Sequence, residues 1–175
     1  MTIIAIIFLI IIAEYFIVFS AAGIAWVLNK KPKVAVEDEE NSFVSIIIAA
    51  RNEGESISEA IKSILKQSYQ NYELIIVDDH SEDNTAEIVR TFTEKHSNIY
   101  LYTLPNDFYG KKNALRYAVS RSAAKLLFFT DADCIINNLH LEKMLKFRRQ
   151  YDTDMLCGPV EFMEQKTFLS KLFQL

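Results

Sequence analysis

Four polar clusters in this 175-residue chain have residue types and spacing able to do chemistry: Arg51-Asn52-Glu53-Gly54, Asp78-Asp79-His80-Ser81, Gly110-Lys111-Lys112 and Thr130-Asp131-Ala132-Asp133. Four aspartates gathered on one edge repel one another unless a cation or hydrogen-bond donors hold them. Asp131 and Asp133 are two apart, so both would point the same way if the strand before them stays extended. Hard carboxylate oxygens of this kind suit Mg²⁺ or Mn²⁺, usually shared with substrate phosphates. Gly110-Lys111-Lys112 combines a flexible glycine, two cations and an expected helix N-terminus, all favourable for phosphate. Together these features point to a nucleotide diphosphate. Neither a Walker loop nor Gly-x-Gly-x-x-Gly occurs, so ATP hydrolysis and dinucleotide redox chemistry lack their usual signature. Each cluster alone also has a structural reading. Asp and Asn after a strand cap the next helix or form Asx turns, the preferred account for Asp83 and Asn84, and a basic turn can simply be solvated.

The elements that must position these residues follow from the apolar pattern. Short, nearly continuous runs at Val44 to Ala50, Leu74 to Val77, Ile99 to Leu104, Leu126 to Phe129 and Met155 to Leu156 suit strands buried on both faces. Helical stripes lie between them: Ile57, Ile61, Ile64 and Leu65, then Ile88, Val89 and Phe92, then Ala114, Leu115, Ala118 and Val119, then Leu141, Met144 and Leu145. Ser56 with Glu59 has capping-box spacing. The order β-α-β-α-β-α-β-α-β predicts an α/β fold with a mainly parallel sheet and right-handed crossovers. Ligands of such sheets bind at the carboxyl ends of the strands, where the four clusters fall.

The N-terminus is of another kind. Residues 1–28 contain one charged side chain, Glu14, so 41 of the 42 charged residues lie in the remaining 147. The stretch 3–28 is long enough to cross a hydrocarbon core as a helix. It lacks the basic start of a signal peptide, and Lys30, Lys31 and Lys33 after it predict a cytoplasmic soluble part. The chain is therefore expected to sit in the cell membrane as a single-pass protein. Trp26 falls where an interfacial aromatic belongs, and Glu14 near mid-span hints at a partner helix and a homo-oligomer. The acidic run 37–40 reads as linker. Expected divisions are an anchor at 1–29, a charged linker at 30–42, a ligand-binding domain at 43–163 and the start of a further region at 164–175. In that last region Phe168, Leu169, Leu172 and Phe173 recur with helical spacing. A net charge of −4 argues against a nucleic-acid-binding surface, and Cys134 and Cys157 are too few for a disulfide scaffold.

Val44-Ser45-Ile46-Ile47-Ile48-Ala49-Ala50-Arg51-Asn52-Glu53, Ile75-Ile76-Val77-Asp78-Asp79-His80-Ser81-Glu82-Asp83-Asn84-Thr85, Gly110-Lys111-Lys112-Asn113-Ala114-Leu115 and Thr130-Asp131-Ala132-Asp133-Cys134 resemble the consecutive motifs of family 2 glycosyltransferases over about residues 43–163. The resemblance implies a GT-A-type, Rossmann-like fold that binds a nucleotide-sugar, commonly a UDP-sugar, with Mg²⁺ or Mn²⁺. It further implies inverting transfer to an acceptor hydroxyl, here on a lipid- or glycan-linked acceptor of the cell envelope. Carried over by position, Ala49 and Glu53 would line the nucleoside pocket. Asp79 would accept from the base with Asp78 nearby, and Lys111 would lie near the diphosphate. Asp131 would approach the ribose or donor sugar, and Asp133, with Asp131, would hold the metal.

Two departures from the family pattern are tolerable: Ala49 stands where proline is frequent and Arg116 where asparagine is. A third is larger. The family's general base lies well downstream of the metal motif, and Glu161 and Glu164 come too early to match it, so the chain is expected to be truncated after the donor-binding half with the base outside it. A non-catalytic nucleotide-sugar-binding or membrane assembly subunit stays open as an alternative. So does a nucleotidyltransferase, although Ala49 to Gly54 is not the Gly-rich phosphate loop that such an enzyme would carry.

Overall fold

The computed structural model describes residues 2–28 and 41–158. In chain order the elements are α1 (Thr2–Leu28), β1 (Val44–Ala50), α2 (Ile57–Leu65), β2 (Tyr72–Asp78), α3 (Thr85–Thr93), β3 (Ile99–Thr103), α4 (Lys111–Arg121), β4 (Leu126–Phe129) and α5 (His140–Tyr151). The four strands form one parallel sheet in the order β3-β2-β1-β4. The expected α/β architecture is therefore present, with helices covering the sheet.

Alternation along β1 explains the two layers. Ile46 and Ile48 pack with Leu74, Ile76 and the α2 stripe Ile57, Ile61 and Ile64, together with Val89 and Leu141. Ile47 turns the other way, to Ile75, Val77, Leu104 and the small α4 residues Ala114 and Ala118. Each buried isoleucine contributes about 1.5–3 kcal/mol of transfer free energy. At the amino end of the sheet Ser45 and Glu73 sit opposite each other. Ser45 Oγ donates to Glu73 Oε1 at 2.5 Å, and that oxygen also accepts from the Ala123 N–H at 2.7 Å, which fixes the turn into β4.

Several expectations need correction. Met155 and Leu156 form no strand: Met155 is well exposed, and no neighbouring strand among the described residues offers them a hydrogen-bonding partner. Burial on both faces holds for β1 and β2 but not for β3 and β4, the edges of the sheet among the described residues, where Tyr100, Leu127 and Phe129 are exposed. The Ser56–Glu59 capping box is not closed. Ser56 Oγ donates to Glu53 Oε2 at 2.7 Å, and Glu59 pairs with Lys62 at 2.6 Å.

The N-terminal helix α1 is continuous over 27 residues, about 40 Å at the usual rise. Its side chains are described at positions 5, 6 and 8–24, and over the described residues no helix is long and apolar enough to cross a membrane. The spanning expectation for 3–28 rests on the sequence pattern. Most of the linker, Glu161, Glu164 and the 164–175 pattern lie outside the described residues.

Candidate functional site

The parallel register brings the strand ends level: Ala50 lies opposite Asp78, and the Asp79 N–H donates to the Ala50 carbonyl at 2.8 Å. Asp78 and Asp79 are both buried. The Asp79 carboxylate is held by donors. Gly110 N–H donates to its Oδ2 at 2.8 Å, His80 Nδ1 lies 3.2 Å from its Oδ1, and Arg51 Nη1 is 4.0 Å from its Oδ2. Asp78 is less well served, with one long 3.4 Å contact from the Ser81 N–H and its Oδ1 buried without a partner. Gly110 takes φ +88°, a left-handed conformation in which glycine carries no Cβ penalty. His80, at φ +56°, does carry that strain, and its ring stacks on Tyr109 at 4.7 Å. Tyr109 is 59% exposed, so it is a surface ring resting on the Asp-Asp-His turn rather than ordinary core packing.

The first loop is built around backbone donors. Asn52 Oδ1 accepts from the Glu82 N–H, its own N–H donates to Ser81 Oγ, and the Glu53 N–H donates to Thr85 Oγ1 at 2.8 Å. Asp83 accepts from the N–H groups of Thr85 and Gly54 and from the Thr85 hydroxyl. These bonds hold its carboxyl below the usual range, the Thr85 hydroxyl first. The capping account is right for Asp83, whereas the side chain of Asn84 makes no capping bond. A Cβ on Gly54 would come within 2.0 Å of Asn84 Oδ1 and 2.9 Å of Asp83 Oδ2, so those side chains would have to shift to admit one. Ala49 and Glu53 are half-buried on this rim, with Glu53 engaged by Ser56.

Lys111 opens α4 and Asp131 follows β4; their Nζ and Oδ1 atoms are 2.7 Å apart. That hydrogen bond raises the Lys111 pKa above its ordinary value, against partial burial, with the charges of Asp131 and Asp133 adding to the rise. Extension does not persist beyond Phe129. The Cys134 N–H closes a turn onto the Asp131 carbonyl, Ala132 is buried beneath it, and Asp131 and Asp133 are exposed. The extended backbone that the same-side expectation assumed is absent, and the turn instead leaves both carboxylates exposed on either side of buried Ala132, with both charges acting on Lys111. Among the described residues no group of three His, Cys, Asp or Glu side chains gathers to hold a metal. The donor chemistry nonetheless fits a hard divalent ion. Two exposed carboxylates two residues apart, Asp133 without a described hydrogen-bond partner, give a partial oxygen shell that ligand oxygens can complete. Beside Lys111 an open cleft of about 760 Å³ runs between α4 and β4, lined by Lys112, Leu115, Arg116 and Phe129 among others.

The sequence singles out Asp79, Lys111, Asp131 and Asp133 by residue type and places Asn52 in a polar cluster, but it gives no sign of the Asn52 bonds to Ser81 and Glu82, the Glu53–Thr85 bond or the His80–Tyr109 stack, whose partners lie in distant segments. A glycine before two lysines was the one available signal for the Gly110 tie to Asp79.

The family described as Glycosyl transferase family 2 matches residues 45–174. A poly-beta-1,6-N-acetyl-D-glucosamine synthase of Staphylococcus aureus is 32% identical over 114 residues, covering 65% of this chain and 27% of that protein. The chain thus spans about a quarter of that relative's length. Among solved structures, the mannosyltransferase PcManGT from Pyrobaculum calidifontis in complex with GDP-Man and Mn²⁺ superposes with a TM-score of 0.57 at 28% identity, over 67% of this chain and 34% of that one. TarS of S. aureus in complex with UDP-GlcNAc gives 0.56 at 25% identity, over 71% and 38%.

Proposed function

The chain belongs to glycosyl transferase family 2, and from that premise we propose that its sheet edge binds a nucleotide-diphosphate sugar, a UDP-sugar in the first instance, for inverting transfer to an acceptor hydroxyl. The observation that carries this reading is the Lys111–Asp131 pair at 2.7 Å, set at a helix N-terminus that no side chain caps. In this reading Asp79 accepts from the nucleobase, with Asp78 behind it and Ala49 and Glu53 on the rim. Tyr109 offers a ring face to the base. Lys111 exchanges its carboxylate partner for a diphosphate oxygen, and Asp131 turns to the ribose or sugar. Asp133 and Asp131 are the carboxylates that would hold Mg²⁺ or Mn²⁺, which supplies positive charge against the departing diphosphate. Support comes from the ligands of the two similar structures, GDP-Man with Mn²⁺ in one and UDP-GlcNAc in the other.

The acceptor, lipid- or glycan-linked, and the general base are assigned to no described residue. Residues 3–28 are proposed as a single membrane anchor with the sheet on the cytoplasmic side, supported by the lone charge at Glu14 and the three lysines at 30, 31 and 33. The test of the donor reading is equilibrium binding of UDP, GDP and ADP to the detergent-solubilised chain in Mn²⁺. UDP is expected to bind tightest, and absence of binding by all three would overturn the reading.

A further inference from the structure

The turn that carries Asp131 and Asp133 leads into residues 134–139, which have no regular structure and must find outside partners for their backbone groups. Gln67, just past the end of α2, is 1% exposed. A buried primary amide is costly unless its donors and acceptor are all used. Here they are: Nε2 donates to the Asn137 carbonyl at 2.7 Å and to the Ser63 carbonyl at 3.3 Å, and Oε1 accepts from the Leu141 N–H at 3.0 Å. Ser63, also buried, accepts from the Ile136 N–H at 3.1 Å through Oγ. The Ser68 N–H donates to the Asn138 carbonyl at 2.8 Å. The end of α2 therefore grips residues 136–141 at both ends. Ala132, buried between the two aspartates, joins the same core as Ile136 and Leu141. Asp133 itself is exposed, and the nearest side-chain tether after it is the Ile136 N–H bond to Ser63, three residues on.

We propose that Gln67, assisted by Ser63, is a positioning residue for the Asp131-Ala132-Asp133 turn, holding both carboxylates where a divalent cation and a diphosphate can share them. Gln67 touches neither ligand. It acts through the backbone of 136–141, as outer-shell partners orient metal ligands elsewhere, where their loss costs 10–100-fold in metal affinity or activity. The inference rests on the donor reading above. A purely structural role would lower stability alone, leaving metal affinity of the folded protein unchanged.

The experiment uses the full chain in detergent at a temperature where every variant is folded. It measures the apparent Mn²⁺ dissociation constant by electron paramagnetic resonance at saturating UDP, UDP affinity without metal, and hydrogen exchange at the Ile136 and Leu141 amides. Gln67→Leu is expected to raise the Mn²⁺ constant about tenfold or more and Ser63→Ala by a smaller factor. Metal-free UDP affinity should stay within twofold, because Asp79 and Lys111 keep their places. Exchange at Leu141 should accelerate in Gln67→Leu and at Ile136 in Ser63→Ala. Should Gln67→Leu fail to fold, Ser63→Ala decides alone. Wild-type Mn²⁺ affinity in folded variants would overturn the positioning role, with the donor reading untouched. A wild-type chain that binds UDP equally with and without Mn²⁺ would instead overturn the metal part of the donor reading, and this inference with it.

Discussion

The backbone N–H of Gly110 donates a 2.8 Å hydrogen bond to Oδ2 of Asp79, a carboxylate only 3% exposed at the end of β2. This bond joins the second strand to the start of α4, so the carboxylate proposed to read the nucleobase and the lysine proposed to meet the diphosphate share one rigid seam. It also explains why a buried charge is tolerated there, since charge-assisted bonds to backbone donors offset the loss of water.

Asp79→Ala should therefore act twice. It removes the proposed base contact, weakening metal-free uridine nucleotide binding by about 1–3 kcal/mol, and it leaves the Gly110 N–H unsatisfied, lowering stability by a similar amount. Calorimetric titration with UMP and a denaturant melt measure the two effects. Unchanged UMP affinity in the folded variant would reduce Asp79 to a structural tie.

Lys111→Ala separates ligand binding from stability. Both partners of the Lys111–Asp131 pair are more than half exposed, so its contribution to folding is at most about 1 kcal/mol. The Lys111 pKa is raised by Asp131, so this contribution is fully present below the ordinary lysine pKa and is lost only as pH rises through the higher folded value. The variant should thus melt almost as wild type at neutral pH yet bind UDP at least tenfold more weakly while keeping its affinity for uridine. Equal losses for UDP and uridine would contradict the diphosphate role.

His140 contributes a pH dependence to the fold in the weakly acidic range. Burial, chiefly, and the nearby Lys143 charge push its pKa below the ordinary histidine value of 6.5. Its ring meets Phe128 edge to face at 5.7 Å. The neutral ring is thus the favoured folded form, and the stability it contributes is present above 6.5 and lost as pH falls through the lower folded value. His140→Gln should flatten that part of the acid limb in a series of thermal melts between pH 7 and 5. An identical limb in wild type and variant would assign the acid sensitivity elsewhere.

The layers of the fold were legible because burial imposes period: Val44 to Ala50 reads as a doubly covered strand, and Ile57, Ile61 and Ile64 as one helix face. Met155 and Leu156 misled because two apolar residues fix no strand without a lateral partner. The Ser56–Glu59 spacing misled because Glu53 and Lys62 compete for the same side chains. At the site, residue type disclosed the carboxylates and the lysine. The groups that restrain them were hidden, since Gln67 bonds a carbonyl seventy residues away and Gly110 a carboxylate thirty-one away, and neither leaves a local pattern.

Whether this edge binds a nucleotide diphosphate through carboxylates sharing a divalent cation is decided by titrating UDP into the full chain and into Asp133→Ala, each with Mn²⁺ and with chelator. Mn²⁺ is expected to strengthen UDP binding to the wild type at least tenfold, because Asp131 and Asp133 otherwise face the diphosphate with like charge, and Asp133→Ala is expected to abolish this gain with its melting curve intact. Equal UDP affinity of the wild type in Mn²⁺ and in chelator, or an undiminished Mn²⁺ gain in Asp133→Ala, would contradict that mode of binding.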